Sequence, residues 1–110
     1  MVQAFVSGAD RAEPWPDPVT AASGLRVPAP LGDRLMLRAL RESGGGAVAI
    51  DDPVLLETAA LVSREEGVDV SPEGGAALAA VESLVQRGIV DRGETIVVFN
   101  TGAGWLYRDR

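Results

Sequence analysis

The chain has 110 residues with sixteen acidic and ten basic side chains, a net charge of -6, and a hydrophobic share of 46%, enough for one small domain at most. All ten cations are arginine, and the absence of lysine, histidine and cysteine excludes disulfides, thiolate nucleophiles, Cys or His metal sites and imidazole or amine acid-base chemistry within this stretch. Arginines dispersed among a larger number of acids also argue against nucleic acid or an anionic membrane as partners.

The opening residues, Met1 to Val6, lack the basic and apolar regions of a secretory leader, and no run approaches the roughly 20 apolar residues that span a bilayer, so a cytoplasmic protein is expected. Residues 1–30 read as an edge strand followed by a proline-rich loop. Glu13-Pro14-Trp15-Pro16-Asp17-Pro18 keeps each residue before a proline out of the helical region, and so long a loop implies a surface for it to pack on.

From Leu31 to Arg110 the pattern is that of an α/β segment. Leu35, Met36, Ala39 and Leu40 recur at helical spacing, and Gly44-Gly45-Gly46 ends that first helix. Ala47-Val48-Ala49-Ile50 is a short apolar run expected as a strand covered on both faces. Asp51-Asp52-Pro53 then opens a second helix that runs to about Glu66 and stops at Gly67, with Leu55, Ala59 and Val62 on its apolar face. After the extended link Val68-Asp69-Val70, Ser71-Pro72-Glu73 caps a third helix reaching about Arg87 and ended by Gly88. Its first half, Gly74-Gly75-Ala76-Ala77-Leu78-Ala79-Ala80, has little side-chain bulk and predicts close backbone approach to a sheet or a ligand. Thr95-Ile96-Val97-Val98-Phe99 is a second buried-strand candidate, and Asn100-Thr101-Gly102-Ala103-Gly104 turns immediately after it. This order of elements predicts a three-layer α/β architecture with a parallel sheet.

A glycine turn at the carboxyl end of a parallel strand is where open α/β sheets place ligands, which singles out residues 100–104. Too little chain follows Gly104 for the helix that a dinucleotide-type phosphate loop requires, so a simple chain-reversing turn stays open beside a ligand turn. Asp51-Asp52 and Glu65-Glu66 are read as cap and solvated surface charge, with no metal site assigned. Glu73 either complements the dipole of its helix or faces a site, and Trp105 and Tyr107 are read as anchors for the last segment.

The order of segments is more specific than any single motif. Ala22-Ser23-Gly24-Leu25-Arg26-Val27-Pro28, Gly32-Asp33-Arg34-Leu35 and Leu37-Arg38-Ala39-Leu40-Arg41-Glu42-Ser43-Gly44-Gly45 resemble consecutive pieces of the threonine synthase family, as do Ala47 to Ile50 with Asp52, Ser71 to Ala80, Asn100 to Gly104 and Tyr107. The resemblance covers about residues 20 to 107 and corresponds to that family's carboxyl-terminal region. It implies part of the large domain of a fold-type II pyridoxal-phosphate enzyme, a lyase of threonine biosynthesis that converts O-phosphohomoserine and water to threonine and phosphate. In that family the cofactor is attached as a Schiff base to a lysine in an earlier part of the chain, and its phosphate sits in a glycine-rich loop that is also upstream.

Neither element is present here, so the resemblance implies a partner in the remainder of the enzyme chain, no catalytic residue in this segment and no activity for the segment alone. What carries over to the cofactor is Thr101, at the family's hydroxyl position beside the pyridine nitrogen, with Gly102 allowing close approach to the ring. Leu106 departs from the basic residue common in relatives, and Ser71 stands where dehydratase relatives often carry an acid. A threonine or serine dehydratase and a free-standing, non-catalytic binding module are the alternatives, and a homo-oligomer stays open.

Overall fold

The computed structural model describes residues 1–108; the last two residues of the segment expected to run from 31 to 110 lie outside them. Four α-helices follow one another, α1 (Val2–Ser7), α2 (Asp33–Glu42), α3 (Asp52–Glu66) and α4 (Pro72–Gln86), with single 3-10 turns at Ser23–Leu25 and Gly104–Tyr107. The three long helices lie where the caps and periodicity put them. Gly44, Gly67 and Gly88 take positive φ of 67°, 69° and 71°, the left-handed conformation that ends a helix without a Cβ clash. Ser71 accepts a hydrogen bond at its Oγ from the Gly74 amide at 3.1 Å and so caps α4 through its side chain. Asp51 is the N-cap of α3 but makes no side-chain cap bond.

Two expectations are corrected. The edge strand expected at the start is α1, a single helical stretch closed by Gly8 at φ 75°; a short apolar run does not tell a helical turn from a strand by periodicity. The parallel sheet is also not formed: among the described residues there is no strand, and residues 47–50 and 95–99 are irregular. The lone bridge, Val70 with Ala103, is antiparallel. A parallel strand needs a neighbouring strand to take up its slanted ladder, and no such neighbour lies beside these runs. Instead of being covered on both faces, Val97 is 78% and Phe99 80% exposed.

The centre of the molecule is the packing of α4 on α3. A Cβ on Gly75 would fall well inside contact with the Leu55 carbonyl oxygen and 2.9 Å from the Ala59 Cβ. The bare half of α4 therefore gives close approach to a helix at Gly75. Leu55, Ala76 and Ala22 form the buried cluster, with Ile50 packed against it. Ala22 belongs to the proline-rich loop, which is held down by carboxylates: Asp33 accepts from the Ala12 amide at 2.9 Å. Asp52 accepts from the Thr20 hydroxyl at 2.5 Å and the Ala21 amide at 2.7 Å, and Glu73 accepts from the Gly24 amide at 2.6 Å. Of the acid pair at the start of α3, Asp52 thus ties a loop to a helix, as a surface carboxylate with two local donors is suited to do. At the other edge, the Arg41 guanidinium on α2 donates to the carbonyls of Ala4 and Ala9 and fastens α1.

The slab so built measures 39 × 38 × 19 Å, with a radius of gyration of 14.5 Å where a domain of this length has about 13 Å. It exposes 7830 Å², whereas a folded monomer of 11.5 kDa exposes about 5800 Å². The excess of about 2000 Å² exceeds the roughly 800 Å² that one partner contributes to a standard protein interface. Val19, Leu31, Leu35, Val97 and Phe99 lie in that surplus apolar surface. Among the described residues no helix is long and apolar enough to cross a membrane.

Candidate functional site

The turn at residues 100–104 is fastened on both sides to the segment that leads into α4. On its far side, the Gly104 amide donates to the Asp69 carbonyl at 3.0 Å, the Trp105 amide donates to Asp69 Oδ2 at 2.9 Å, and the Arg108 guanidinium pairs with Asp69 Oδ1. The antiparallel bridge between Val70 and Ala103 lies between these bonds and the turn. On its near side, Asn100 Oδ1 accepts from both the Ser71 amide, at 3.3 Å, and the Ser71 hydroxyl, at 3.2 Å. Ser71 is fully buried and is itself fixed by the first turn of α4.

Thr101 and Gly102, the two expected site residues, sit between these ties. Thr101 is exposed and its hydroxyl makes no hydrogen bond with the described residues. Gly102 has no positive φ, and a Cβ placed there would meet Ser71 Cβ at 3.6 Å and the Tyr107 hydroxyl at 3.7 Å, which is ordinary contact. Nothing among the described residues requires glycine at 102. Gly74 and Gly104 are different. A Cβ at Gly74 would overlap Asn100 Oδ1 and lie 2.8 Å from Val70 Cγ1, and one at Gly104 would lie 2.6 Å from Asp69 Oδ1.

Beside the turn, Glu73 stands where it complements the dipole of its helix, and its carboxylate also reaches the proline-rich loop. It stands in the first turn of α4, and its carboxylate meets the Gly24 amide and the Tyr107 hydroxyl. Burial raises the Glu73 pKa, but donors at Gly24, Tyr107, its own backbone amide and Ser71 outweigh that and hold the carboxyl below its ordinary value. Tyr107 is half-buried, its hydroxyl 3.7 Å from the position a Cβ would take at Gly102, whereas Trp105 is 62% exposed and is tied through its backbone amide to Asp69. Asp69 and the side chain of Asn100 were not singled out from sequence. The available signals were an acid between two valines, Val68-Asp69-Val70, and an amide ending the apolar run 95–99.

A concavity lies elsewhere, lined by Arg11, Arg34, Arg38 and Arg41 together with Asp10, Asp33 and Glu42. Arg38 pairs with Glu42 at 2.7 Å and Arg41 with Asp10 at 3.7 Å, so its charge is largely internally matched. No group of three or more Asp or Glu side chains suited to a metal ion occurs among the described residues.

The family of pyridoxal-phosphate dependent enzymes matches this sequence over residues 1–102. The chain belongs to that family. Its relatives include the threonine synthase of Methanocaldococcus jannaschii, 36% identical over 104 residues that make up 94% of this chain and 26% of the relative. The threonine synthase of Methanosarcina acetivorans is 36% identical over 102 residues, 93% of this chain and 25% of its own. That of Mycobacterium leprae is 35% identical over 92 residues, 84% of this chain and 26% of its own. The chain therefore spans about a quarter of the length of the curated relatives it matches, and the excess surface of the slab has a ready explanation in what the other three quarters would cover.

The cofactor of this family is pyridoxal phosphate, and the residues at the turn fit it in part. Thr101 offers a hydroxyl without a hydrogen-bond partner among the described residues, on a turn held at both ends and next to a glycine where a Cβ would meet only ordinary contacts. With no lysine in the sequence, covalent attachment of the cofactor cannot come from this chain.

Proposed function

We propose that this chain is the carboxyl-terminal part of a threonine synthase, acting in the cytoplasm to convert O-phosphohomoserine and water to threonine and phosphate, and inactive by itself. The observation that carries the reading is the Thr101 hydroxyl, without a hydrogen-bond partner among the described residues, on a turn anchored to both Asp69 and Ser71. The similarity to threonine synthases over most of the chain supports the choice of reaction.

When bound, the cofactor supplies an electron sink for carbanion chemistry next to the substrate nitrogen. Thr101 would contact its ring nitrogen as a neutral hydroxyl. Unlike a carboxylate, such a group does not hold a proton on that nitrogen by charge, so the sink is moderated and the course of the reaction is steered. Gly102 would let the backbone approach the ring face where a side chain would stand it off. Asp69, Ser71 and Asn100 keep the turn at fixed depth against α4, and Glu73 with Tyr107 closes its flank.

The test is reconstitution. This chain is combined with the lysine-bearing upstream three quarters of the Methanocaldococcus jannaschii threonine synthase, and cofactor absorbance and phosphate release from O-phosphohomoserine are followed. Both signals are expected from the combination and neither from the chain alone. Cofactor attachment by the isolated chain, or a folded combination that binds no cofactor, rejects the reading. Deamination of serine or threonine in place of phosphate release would assign a dehydratase.

A further inference from the structure

The side chain of Asn100 has a geometry that a chain-reversing turn does not require. A turn needs only its backbone, yet Asn100 Oδ1 takes two donors from one residue, the amide and the hydroxyl of Ser71. The Ser71 hydroxyl in turn accepts from the Gly74 amide, so the chain of bonds runs from the turn directly into the first turn of α4. The space for this arrangement exists only because residue 74 has no side chain: a Cβ there would overlap Asn100 Oδ1. Ser71 is completely buried and is gripped by Pro72 and the helix behind it, so it is the fixed member, while Asn100 is exposed and is the member being held.

From this we infer that Asn100, seated on Ser71 in the gap left by Gly74, is a positioning residue that aims the adjacent Thr101 hydroxyl at the cofactor ring. The inference rests on the role of Thr101 stated above and extends it to three residues that would not touch the cofactor. Because a neutral hydroxyl contact to the ring nitrogen depends on direction more than on charge, a turn free to rock would weaken it even with Thr101 intact. Only the oxygen of the Asn100 amide is used in the grip. Asn100→Asp keeps an acceptor there, Asn100→Leu keeps the bulk and removes it, and Gly74→Ala leaves every polar group in place but fills the gap.

In the reconstituted holoenzyme, the fluorescence of bound pyridoxal phosphate and its pH profile are recorded for these three variants and for Thr101→Ala. Asn100→Leu and Gly74→Ala should reproduce the spectral change of Thr101→Ala and weaken cofactor retention by roughly tenfold, the loss of one hydrogen bond's alignment. Asn100→Asp should resemble the wild type. A spectrum and pH profile unchanged by Asn100→Leu while Thr101→Ala alters both would overturn the inference and leave the proposed function standing. If Thr101→Ala itself is silent, the assigned role of Thr101 fails, and the inference built on it fails with it. Amide hydrogen exchange on the 110-residue chain tests the grip without cofactor or partner: Asn100→Leu should speed exchange at Ser71 and Gly104 about tenfold and leave the α3 amides unchanged, and equal rates at Ser71 and Gly104 would refute it.

Discussion

Replacing Gly75 by alanine sets two effects of opposite sign against each other. In an exposed helix interior the change stabilises by about 1 kcal/mol, because alanine gives up less backbone freedom than glycine. At this position the new Cβ would fall inside contact with the Leu55 carbonyl oxygen, and it would also lie 2.9 Å from the Ala59 Cβ. The first of these neighbours is backbone within α3, so relief cannot come from rotating a side chain. The helices must move apart, and the cluster of Leu55, Ala76 and Ala22 opens with them. Overpacking of this kind costs about 1–3 kcal/mol, and breaking close backbone contact puts this site toward the upper end. With the propensity gain set against it, Gly75→Ala should destabilise the chain by about 1–2 kcal/mol, lowering the melting temperature by about 4–8 °C for each kcal/mol. Urea and thermal unfolding of the 110-residue chain followed by circular dichroism measures this. A variant as stable as the wild type, or more so, would refute the claim that glycine is required for α4 to sit on α3.

Gly102→Ala should behave in the opposite way, because its Cβ meets only ordinary contacts: stability should change by less than about 0.5 kcal/mol, while cofactor binding in the holoenzyme drops. A large loss of stability would show that the chain itself requires this glycine. Ser71→Ala removes both the cap on Gly74 and a donor to Asn100, and should cost about 1–2 kcal/mol in the same unfolding assay, whereas no loss would show the cap to be idle. The Asp52 carboxyl is held below its ordinary 3.8 by the Thr20 hydroxyl and the Ala21 amide. A depressed folded pKa contributes stability that is present above the unfolded value and is lost as pH falls through the folded one. The stability difference between wild type and Asp52→Asn should therefore shrink as pH is lowered below 3.8, and a difference constant with pH would refute the tether to residues 20–21.

What could be read from the sequence is what neighbouring residues decide among themselves. Ser71 with Pro72 starts a helix and Gly67 or Gly88 ends one, because caps and left-handed termini are set by contacts within a turn or two. The glycines at 102 and 104 likewise marked a turn from local composition, and the resemblance, a property of order and spacing, added the expectation that Thr101 and Gly102 meet a cofactor. Tertiary structure decided everything that depends on which distant segment arrives. The apolar runs at 47–50 and 95–99 have strand composition but find no ladder partner among the described residues, so they remain irregular and half open. The opening run takes the helical alternative that its few residues left undecided. Gly75 and Gly102 are the same residue in the sequence, yet a Cβ at the first would overlap the backbone of α3, while one at the second would meet only ordinary contacts with Ser71 and Tyr107. A hydrogen bond such as that from Ser71 to Asn100 joins residues 29 positions apart, and its existence depends on the gap at Gly74, which only the packed helices create.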